Sequence, residues 1–197
     1  WTLPGVFGAG GLQALVKGGF DVVGKRIVVA GTGPLLLAVA EFLRRKGARV
    51  DVIAEQTSRR RAIGFGLGLW RFPGKLAEAF RIGSSLAGTR IRFDSFVTRA
   101  FGDSRLEAVA VRTGSREEKI ECDFLACGFH LEANTEIAEA AGCGIVDSAV
   151  LTDEDQRTTV AGIYAAGESA GVGGVELALI EGEIAGLAAA GEDVPDA

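Results

Sequence analysis

The chain has 197 residues, of which 48% are apolar and 24% charged, and this balance predicts a folded protein of one or two small domains. Its formal net charge of −5, with no basic run longer than Arg59–Arg61, argues against a protein that binds nucleic acid. No apolar run reaches the ~20 residues that a membrane-spanning helix needs, so we expect no membrane span and a cytoplasmic location.

The cysteines predict neither redox nor metal chemistry. Cys122, Cys127 and Cys143 are spaced too widely for a CxxC pair, and their pattern lacks the spacing of zinc ligands. We therefore expect reduced thiols that lie mostly in the core, and no metal site.

The first 55 residues follow the pattern of a β-α-β unit preceded by a short helix. A β-branched apolar run predicts a buried parallel strand, and a glycine turn and a helical pattern follow it. A second strand then ends at Glu55. In chain order we predict an extended segment at 1–8, a helix at Ala9–Lys17, a strand at Arg26–Ala30, a helix at Leu35–Lys46 and a strand at 49–54.

Beyond Glu55 the pattern changes twice. Glycines and Pro73 interrupt residues 57–88, so we predict a helix only for Lys75–Leu86. Short alternating runs then predict a β-meander. The strands of the meander are expected at 91–93, 96–101, 106–112 and 119–121. After the meander we predict a strand at Asp123–Cys127, a helix at Thr135–Ala141, and strands at Gly144–Val146 and Ile163–Ala166. A last helix is expected to begin near Gly174, and residues 192–197 to form a frayed end. The fold class is therefore α/β, with a Rossmann-like, three-layer nucleotide-binding domain that carries a β-meander.

The turn between the first strand and its helix is the first candidate site. Gly31, Thr32, Gly33, Pro34 and Leu35 place a G-x-G sequence where helix N–H groups and the helix dipole face an anion, which suits a pyrophosphate. The third glycine of the usual fingerprint is replaced by Leu36, which we expect to hold the helix slightly away from the strand. A plain strand-to-helix turn is the alternative.

Glu55 and its neighbours bear on which nucleotide is bound. At the tip of the second strand, Glu55 can accept a hydrogen bond from a ribose 2′-OH, which favours NAD over NADP, and we assign Gln56 to the same site. Arg59–Arg61 can instead meet a 2′-phosphate or form a solvated surface. Gly128, where a later strand ends, is also assigned to cofactor binding.

A second glycine turn, in residues 158–190, is the other candidate site. Gly167 and Glu168 follow a predicted strand, and a helix begins at Gly174 and Val175. The glycines allow the backbone to approach a ligand, and Glu168 can accept hydrogen bonds from ribose or ribityl hydroxyls.

The remaining polar residues of this region offer no catalytic group. On the last helix we expect Glu176, Glu181 and Glu183 on the solvated or subunit-facing side, with an apolar stripe of Leu177, Ile180, Ile184 and Leu187. The sequence pattern gives no reason to assign catalysis to the single histidine, His130, so we name no catalytic residue.

The chain resembles the pyridine nucleotide–disulfide oxidoreductase superfamily, and within it the flavoprotein subunits of opine oxidases, hydrogen cyanide synthase and related amino-acid dehydrogenases. The strings that carry the resemblance are WTLPGV, GGLQALVKGG, GTGPLLLAVA and GESAGVGGVELALIEGEIAG. The resemblance implies that 1–130 is an inserted NAD(P)-like domain and that 131–197 is the C-terminal segment of a split FAD-binding domain. It places Gly167 and Glu168 in the second flavin motif, and Gly174 and Val175 at the helix start that faces the flavin.

The resemblance also implies a function. We expect a fragment of an FAD-dependent amino-acid or opine dehydrogenase that oxidises a C–N bond, with NAD, ADP or ATP in the 31–55 site. No FAD fingerprint precedes Trp1, so the chain alone is expected to be inactive and to need an N-terminal FAD segment or a partner subunit. The alternatives are an NADH-dependent flavin reductase of the ferredoxin-reductase type and a non-catalytic ADP- or ATP-binding subunit. The missing CxxC argues against dithiol chemistry.

Overall fold

The computed structural model of the protein describes residues 2–192, apart from the side chain of Leu69, so most of the predicted frayed end lies outside the described residues. The chain divides into two compact units, Trp1–His130 and Leu131–Ala197. In chain order the elements are β1 (Val6–Gly8), α1 (Ala9–Lys17), β2 (Arg26–Gly31), α2 (Leu35–Arg45), β3 (Arg49–Glu55), α3 (Arg59–Gly68), a 3₁₀ turn (Leu69–Arg71), α4 (Pro73–Ser85), β4 (Arg90–Arg92), β5 (Ser95–Phe101), β6 (Ala108–Thr113), β7 (Arg116–Glu121), β8 (Phe124–Gly128), α5 (Glu136–Ala140), β9 (Ile145–Val146), β10 (Ala149–Val150), a 3₁₀ turn (Gly167–Ser169) and α6 (Val175–Ala190).

A five-stranded parallel sheet forms the centre of the first unit, with strand order β1-β8-β2-β3-β4. The predicted β-α-β unit is confirmed, and β2 and β3 are buried along most of their length. The strand predicted at 91–93 is not part of the meander, because Arg90–Arg92 pairs with β3 at the edge of the parallel sheet. The meander has three strands, in the order β5-β6-β7.

Side-chain alternation along the central strands separates two cores. Ile27 and Val29 of β2 face a cluster that includes Leu12, Leu36 and Leu43 from the helices. Val28 and Ala30 face the meander, where Val97, Val109 and Val111 lie. Because successive side chains point to opposite sides of a strand, one apolar run fills both spaces. The three predicted layers, helices, parallel sheet and meander, are confirmed.

Residues 57–88 contain more helix than the glycines predict. α3 spans Arg59–Gly68 although Gly64, Gly66 and Gly68 interrupt its sequence, and none of its described residues is buried. The prediction that helix begins only at Lys75 is therefore wrong. Each glycine costs about 1 kcal/mol relative to alanine, which weakens a helix without forbidding it.

The second unit contains α5, the β9–β10 hairpin and α6. The predicted helices near 135–141 and from Gly174, and the strand near Gly144–Val146, are confirmed within two residues. The strand predicted at Ile163–Ala166 is wrong, because within the described residues this run forms only a single bridge, between Tyr164 and Arg157. A strand needs a neighbour along its length, and this run has one at a single position. Between residues 2 and 192, no helix combines the length and the apolarity needed to cross a membrane.

Candidate functional site

The candidate nucleotide site lies at the carboxyl ends of three adjacent parallel strands. β8 ends at Gly128, β2 at Gly31 and β3 at Glu55, and Gly31 pairs with both of the others. The carboxyl edge of a parallel sheet is where ligands bind in this class of fold. The structure therefore brings Gly128 to the predicted loop, although 97 residues separate it from Gly31.

Gly31 and Gly128 touch through their backbones. A Cβ atom built on Gly31 would lie 1.9 Å from the carbonyl oxygen of Gly128, and Gly31 has φ +151°. The same carbonyl accepts the N–H of Thr32 at 2.9 Å, and the carbonyl of Gly31 accepts the N–H of Gln56 at 2.8 Å. Only glycine fits at position 31, because a side chain would occupy the neighbouring peptide group.

Gly128 also makes room for the helix that follows the loop. A Cβ atom on Gly128 would lie 3.1 Å from the Cβ of Ala9 and 3.2 Å from the Cδ2 of Leu36. Leu36 is fully buried. The expectation that Leu36 would hold helix and strand apart does not take Gly128 into account. Leu36 stands where the usual fingerprint has its third glycine, and Gly128 on the neighbouring strand leaves the space for its side chain.

The far side of the loop is open. Gly33 has φ +93°, and a Cβ atom there would meet nothing within 4 Å. Pro34 precedes α2 with φ −64°, and Leu35, the first residue of α2, is 42% exposed. Backbone that is accessible at a helix N-terminus can approach a phosphate closely. This part of the loop therefore leaves accessible backbone of the kind that a phosphate can approach.

Glu55 is bound by the loop itself. Its carboxylate accepts hydrogen bonds from the N–H of Gly33 at 3.0 Å, the hydroxyl of Thr32 at 3.1 Å and the N–H of Thr57 at 2.7 Å. The hydroxyls of Thr32 and Thr57 are 2.8 Å apart, and Glu55 is only 8% exposed. A buried carboxylate with three donors fixes the shape of the turn.

Sequence reasoning did not predict this role for Glu55. The signal that was present is the pair of threonines, at 32 and 57, on either side of the acid. The predicted contact between Glu55 and a ribose stays a prediction. Gln56 and Arg59–Arg61, which follow Glu55, are exposed.

The second glycine turn is organised by the last helix. Gly167 is buried with φ +71°, and a Cβ atom there would lie 3.2 Å from the Cβ of Ala178. Its N–H donates to the carboxylate of Glu181 at 2.7 Å. The sequence predicts Glu181 on the solvated or subunit-facing side of α6, but its carboxylate instead accepts a hydrogen bond from the turn.

The other predicted residues of this turn are accessible. Glu168, Gly174 and Val175 are exposed, and Gly174 begins α6 with φ +87°. The predicted apolar stripe is only partly covered, since Leu177 and Ile180 are exposed and Ile184 and Leu187 are half-buried. The turn thus offers open backbone at the start of a 16-residue helix.

The cysteines are free, and two of them lie on or beside β8. Burial raises the pKa of the Cys122 thiol to about 12 and also raises the pKa of Cys127. Because the thiolate is the nucleophile in dithiol chemistry, these thiols are poorly suited to it at neutral pH. The described residues contain no group of three or more side chains suited to hold a metal ion.

The chain is similar to proteins of known family. Residues 9–189 match the pyridine nucleotide-disulphide oxidoreductase family. The chain is 31% identical to hydrogen cyanide synthase subunit HcnB of Pseudomonas aeruginosa, over 95% of its own length and 44% of that protein. It is 30% identical to an opine oxidase subunit from Agrobacterium tumefaciens, over 96% of its own length and 39% of that protein. The chain thus spans less than half the length of these relatives.

Solved structures share the fold. Thioredoxin reductase of T. acidophilum superposes with a TM-score of 0.70 at 19% identity, over 94% of this chain and 56% of that one. A ferredoxin reductase of the CYP199A2 system from Rhodopseudomonas palustris gives a TM-score of 0.70 at 21% identity, over 98% of this chain and 48% of that one. At these identities the likeness concerns the fold alone.

Proposed function

Because the chain belongs to the pyridine nucleotide-disulphide oxidoreductase family, we propose that it is the nucleotide-binding region of an FAD-dependent oxidoreductase that oxidises a C–N bond of an amino acid or opine. The observation that carries the proposal is the glycine loop at the carboxyl edge of the parallel sheet, closed against Gly128 on one side and open at Gly33 on the other. The relatives named hydrogen cyanide synthase and opine oxidase support the substrate class.

In the first unit, the loop would hold the pyrophosphate of an adenine dinucleotide. Gly33 leaves space for the phosphates, and the N-terminus of α2 provides the favourable dipole. Glu55 keeps the loop in this shape and would accept a hydrogen bond from the adenosine ribose, with Gln56 beside it. Arg59–Arg61, exposed at the start of α3, are the candidates to meet a 2′-phosphate if NADP is bound instead.

In the second unit, Gly167, Glu168, Gly174 and Val175 would hold one side of FAD. The glycine turn and the start of α6 fit a flavin nucleotide because their backbone is accessible. α6 also lacks cover along much of its length, since Val175 and Leu179 are 72% and 69% exposed. Further polypeptide, either the rest of an FAD domain or a partner subunit, would bury these side chains.

The residues present indicate what FAD and the protein would each contribute to the reaction. FAD, when bound, supplies the hydride-accepting chemistry, and the protein supplies binding and orientation. Within this chain, the two glycine turns would place the nucleotides, and the thiols of Cys122 and Cys127, whose pKa values are raised, would take no part. The acid–base groups for the substrate would then come from elsewhere in the intact protein.

The experiment is an anaerobic reduction of the full-length protein with its FAD bound. Opines and amino acids are added separately, and the visible absorbance of the flavin is followed. We expect bleaching by an opine or amino acid and none by NADH. Bleaching by NADH alone would support an NADH-dependent flavin reductase, and binding of ADP or ATP without bleaching by any donor would support a non-catalytic nucleotide-binding protein.

Replacing Glu181 with alanine in the full-length protein should weaken FAD binding by about 10- to 100-fold, because a hydrogen bond to a charged group contributes about 1.5–3 kcal/mol. The change frees the N–H of Gly167 and loosens the turn that approaches the flavin. Glu183→Ala is the matched control, since Glu183 is an exposed acid two positions further along α6. Equal FAD affinity in the two variants would contradict the assignment of Glu181 as a positioning residue.

A further inference from the structure

A group of exposed apolar side chains on the first unit has no role in the proposed nucleotide site. We call it the cationic aromatic patch, and it extends over α3, the following 3₁₀ turn and α4. Among the described residues of the patch, seven large apolar side chains are between 46% and 80% exposed. They are Ile63, Phe65, Leu67, Trp70, Phe72, Leu76 and Phe80.

The exposed apolar area of the patch is large enough for it to serve as an interaction surface. Its four aromatic side chains, at roughly 150–250 Å² each and at least 58% exposed, present on the order of 500 Å². The largest apolar patch of a typical monomer is about 300–600 Å² and is often functional, and the aliphatic members of this patch add to its area. Exposure on this scale costs free energy unless something covers the patch.

Cations surround these apolar side chains. Residues 59–81 contain six lysines and arginines and a single acid, Glu78, in a chain whose net charge is −5. Arg59–Arg61 are exposed, and the guanidinium of Arg71 lies 5.8 Å from the centre of the Trp70 ring. Aromatic side chains among arginines and lysines have the composition of segments that lie in the interface of an anionic membrane.

The apolar side chains of the patch do not form a single surface of defined shape. No described residue of α3 is buried, and its glycines alternate with Ile63, Phe65 and Leu67, so that apolar side chains leave the helix on more than one side. A protein partner requires a surface of defined shape to pack at the density of a protein interior. A lipid surface has no fixed shape to match, so Trp and Phe side chains can enter its headgroup boundary while arginines and lysines attract anionic lipids.

We propose that the cationic aromatic patch binds the surface of an anionic lipid membrane, with Trp70, Phe72 and Phe80 entering the headgroup region. α4 connects the patch to the rest of the unit. Arg81 forms an ion pair with the buried Glu41 of α2 at 2.5 Å, and Ile82 packs into the core between the helices and the parallel sheet. Membrane binding would therefore hold the nucleotide-binding unit at the membrane surface.

The test measures how the full-length protein with FAD bound partitions onto lipid vesicles. One set of vesicles contains phosphatidylcholine only, and the other also contains phosphatidylglycerol as the anionic lipid. We expect binding to the anionic vesicles that weakens as salt is added. Hydrogen exchange of residues 59–85 should slow on binding, because α3 gains cover.

Two variants and a control identify the surface. Trp70→Ala with Phe80→Ala should lower partition by at least about tenfold, because two large apolar side chains no longer enter the lipid. Arg60→Gln with Arg61→Gln should lower it by about 30-fold on anionic vesicles, since each cation near such a surface contributes about fivefold. Arg105→Gln with Arg116→Gln removes two exposed cations from the meander side of the unit and should leave partition unchanged.

Several results would overturn the proposal. These are no binding of the wild type to anionic vesicles, equal losses in the patch variants and the meander control, slow exchange of residues 59–85 without lipid, and dimerisation that Trp70→Ala abolishes. The last two would show that the patch is covered by the protein itself. Vesicle binding does not depend on flavin reduction, so its failure is distinguishable from failure of the proposed function.

Discussion

Replacing Gly31 with alanine should destabilise the first unit by about 4 kcal/mol and abolish nucleotide binding. The new Cβ would lie 1.9 Å from the carbonyl oxygen of Gly128, in the centre of the sheet, and φ would remain near +151°. Backbone strain of this kind costs about 1–3 kcal/mol, and forcing extra volume into a packed site costs about the same again. Chemical denaturation of the full-length protein, followed by hydrogen exchange of β2, measures the change.

Gly33→Ala is the matched control in the same loop. Its φ of +93° also disfavours alanine, but its Cβ would meet no atom within 4 Å, so we expect a loss of only about 1–2 kcal/mol. Nucleotide affinity should nevertheless fall, because the methyl group would stand where the phosphates approach. Equal stability losses at positions 31 and 33 would contradict the close contact between Gly31 and Gly128.

Replacing Glu55 with alanine should destabilise the first unit by about 3 kcal/mol. The change leaves the N–H groups of Gly33 and Thr57 without their acceptor in a partly buried place, whereas the hydroxyl of Thr32 keeps the hydroxyl of Thr57 as a partner. Each unsatisfied donor costs about 1–3 kcal/mol when the loop cannot relax. Some relaxation is expected, which is why the total is less than the sum. Denaturant unfolding and calorimetry with NAD and ADP measure stability and affinity together.

Glu78→Ala provides the comparison for Glu55, since Glu78 is an exposed acid on α4 and its loss should change stability by less than about 0.5 kcal/mol. The two readouts also separate the roles of Glu55. Lost stability with unchanged affinity for NAD and ADP would show that the carboxylate only holds the loop in shape. A fall in affinity would support its contact with the ribose. Wild-type stability in Glu55→Ala would contradict the buried network.

The two glycine turns show why a site can be recognised before its contacts are known. Gly31–Pro34 and Gly167–Val175 follow from local order, because glycines that precede a helix produce similar backbone wherever they occur. The partners of these turns do not follow. Gly128 and Glu181 lie 97 and 14 residues from the glycines they contact, and no local spacing announces either contact.

The sequence alone determined the β-α-β order of the first unit and most of its strands and helices, α3 excepted, because the periods of apolar residues and the positions of glycine act over a few neighbouring residues. Only the tertiary structure decided that Arg90–Arg92 joins the parallel sheet, that Leu36 packs over Gly128, that Glu55 anchors the loop, and that the apolar residues of α3 remain uncovered. These outcomes depend on which distant segments become neighbours, and that choice is made by the free energy of packing the whole chain.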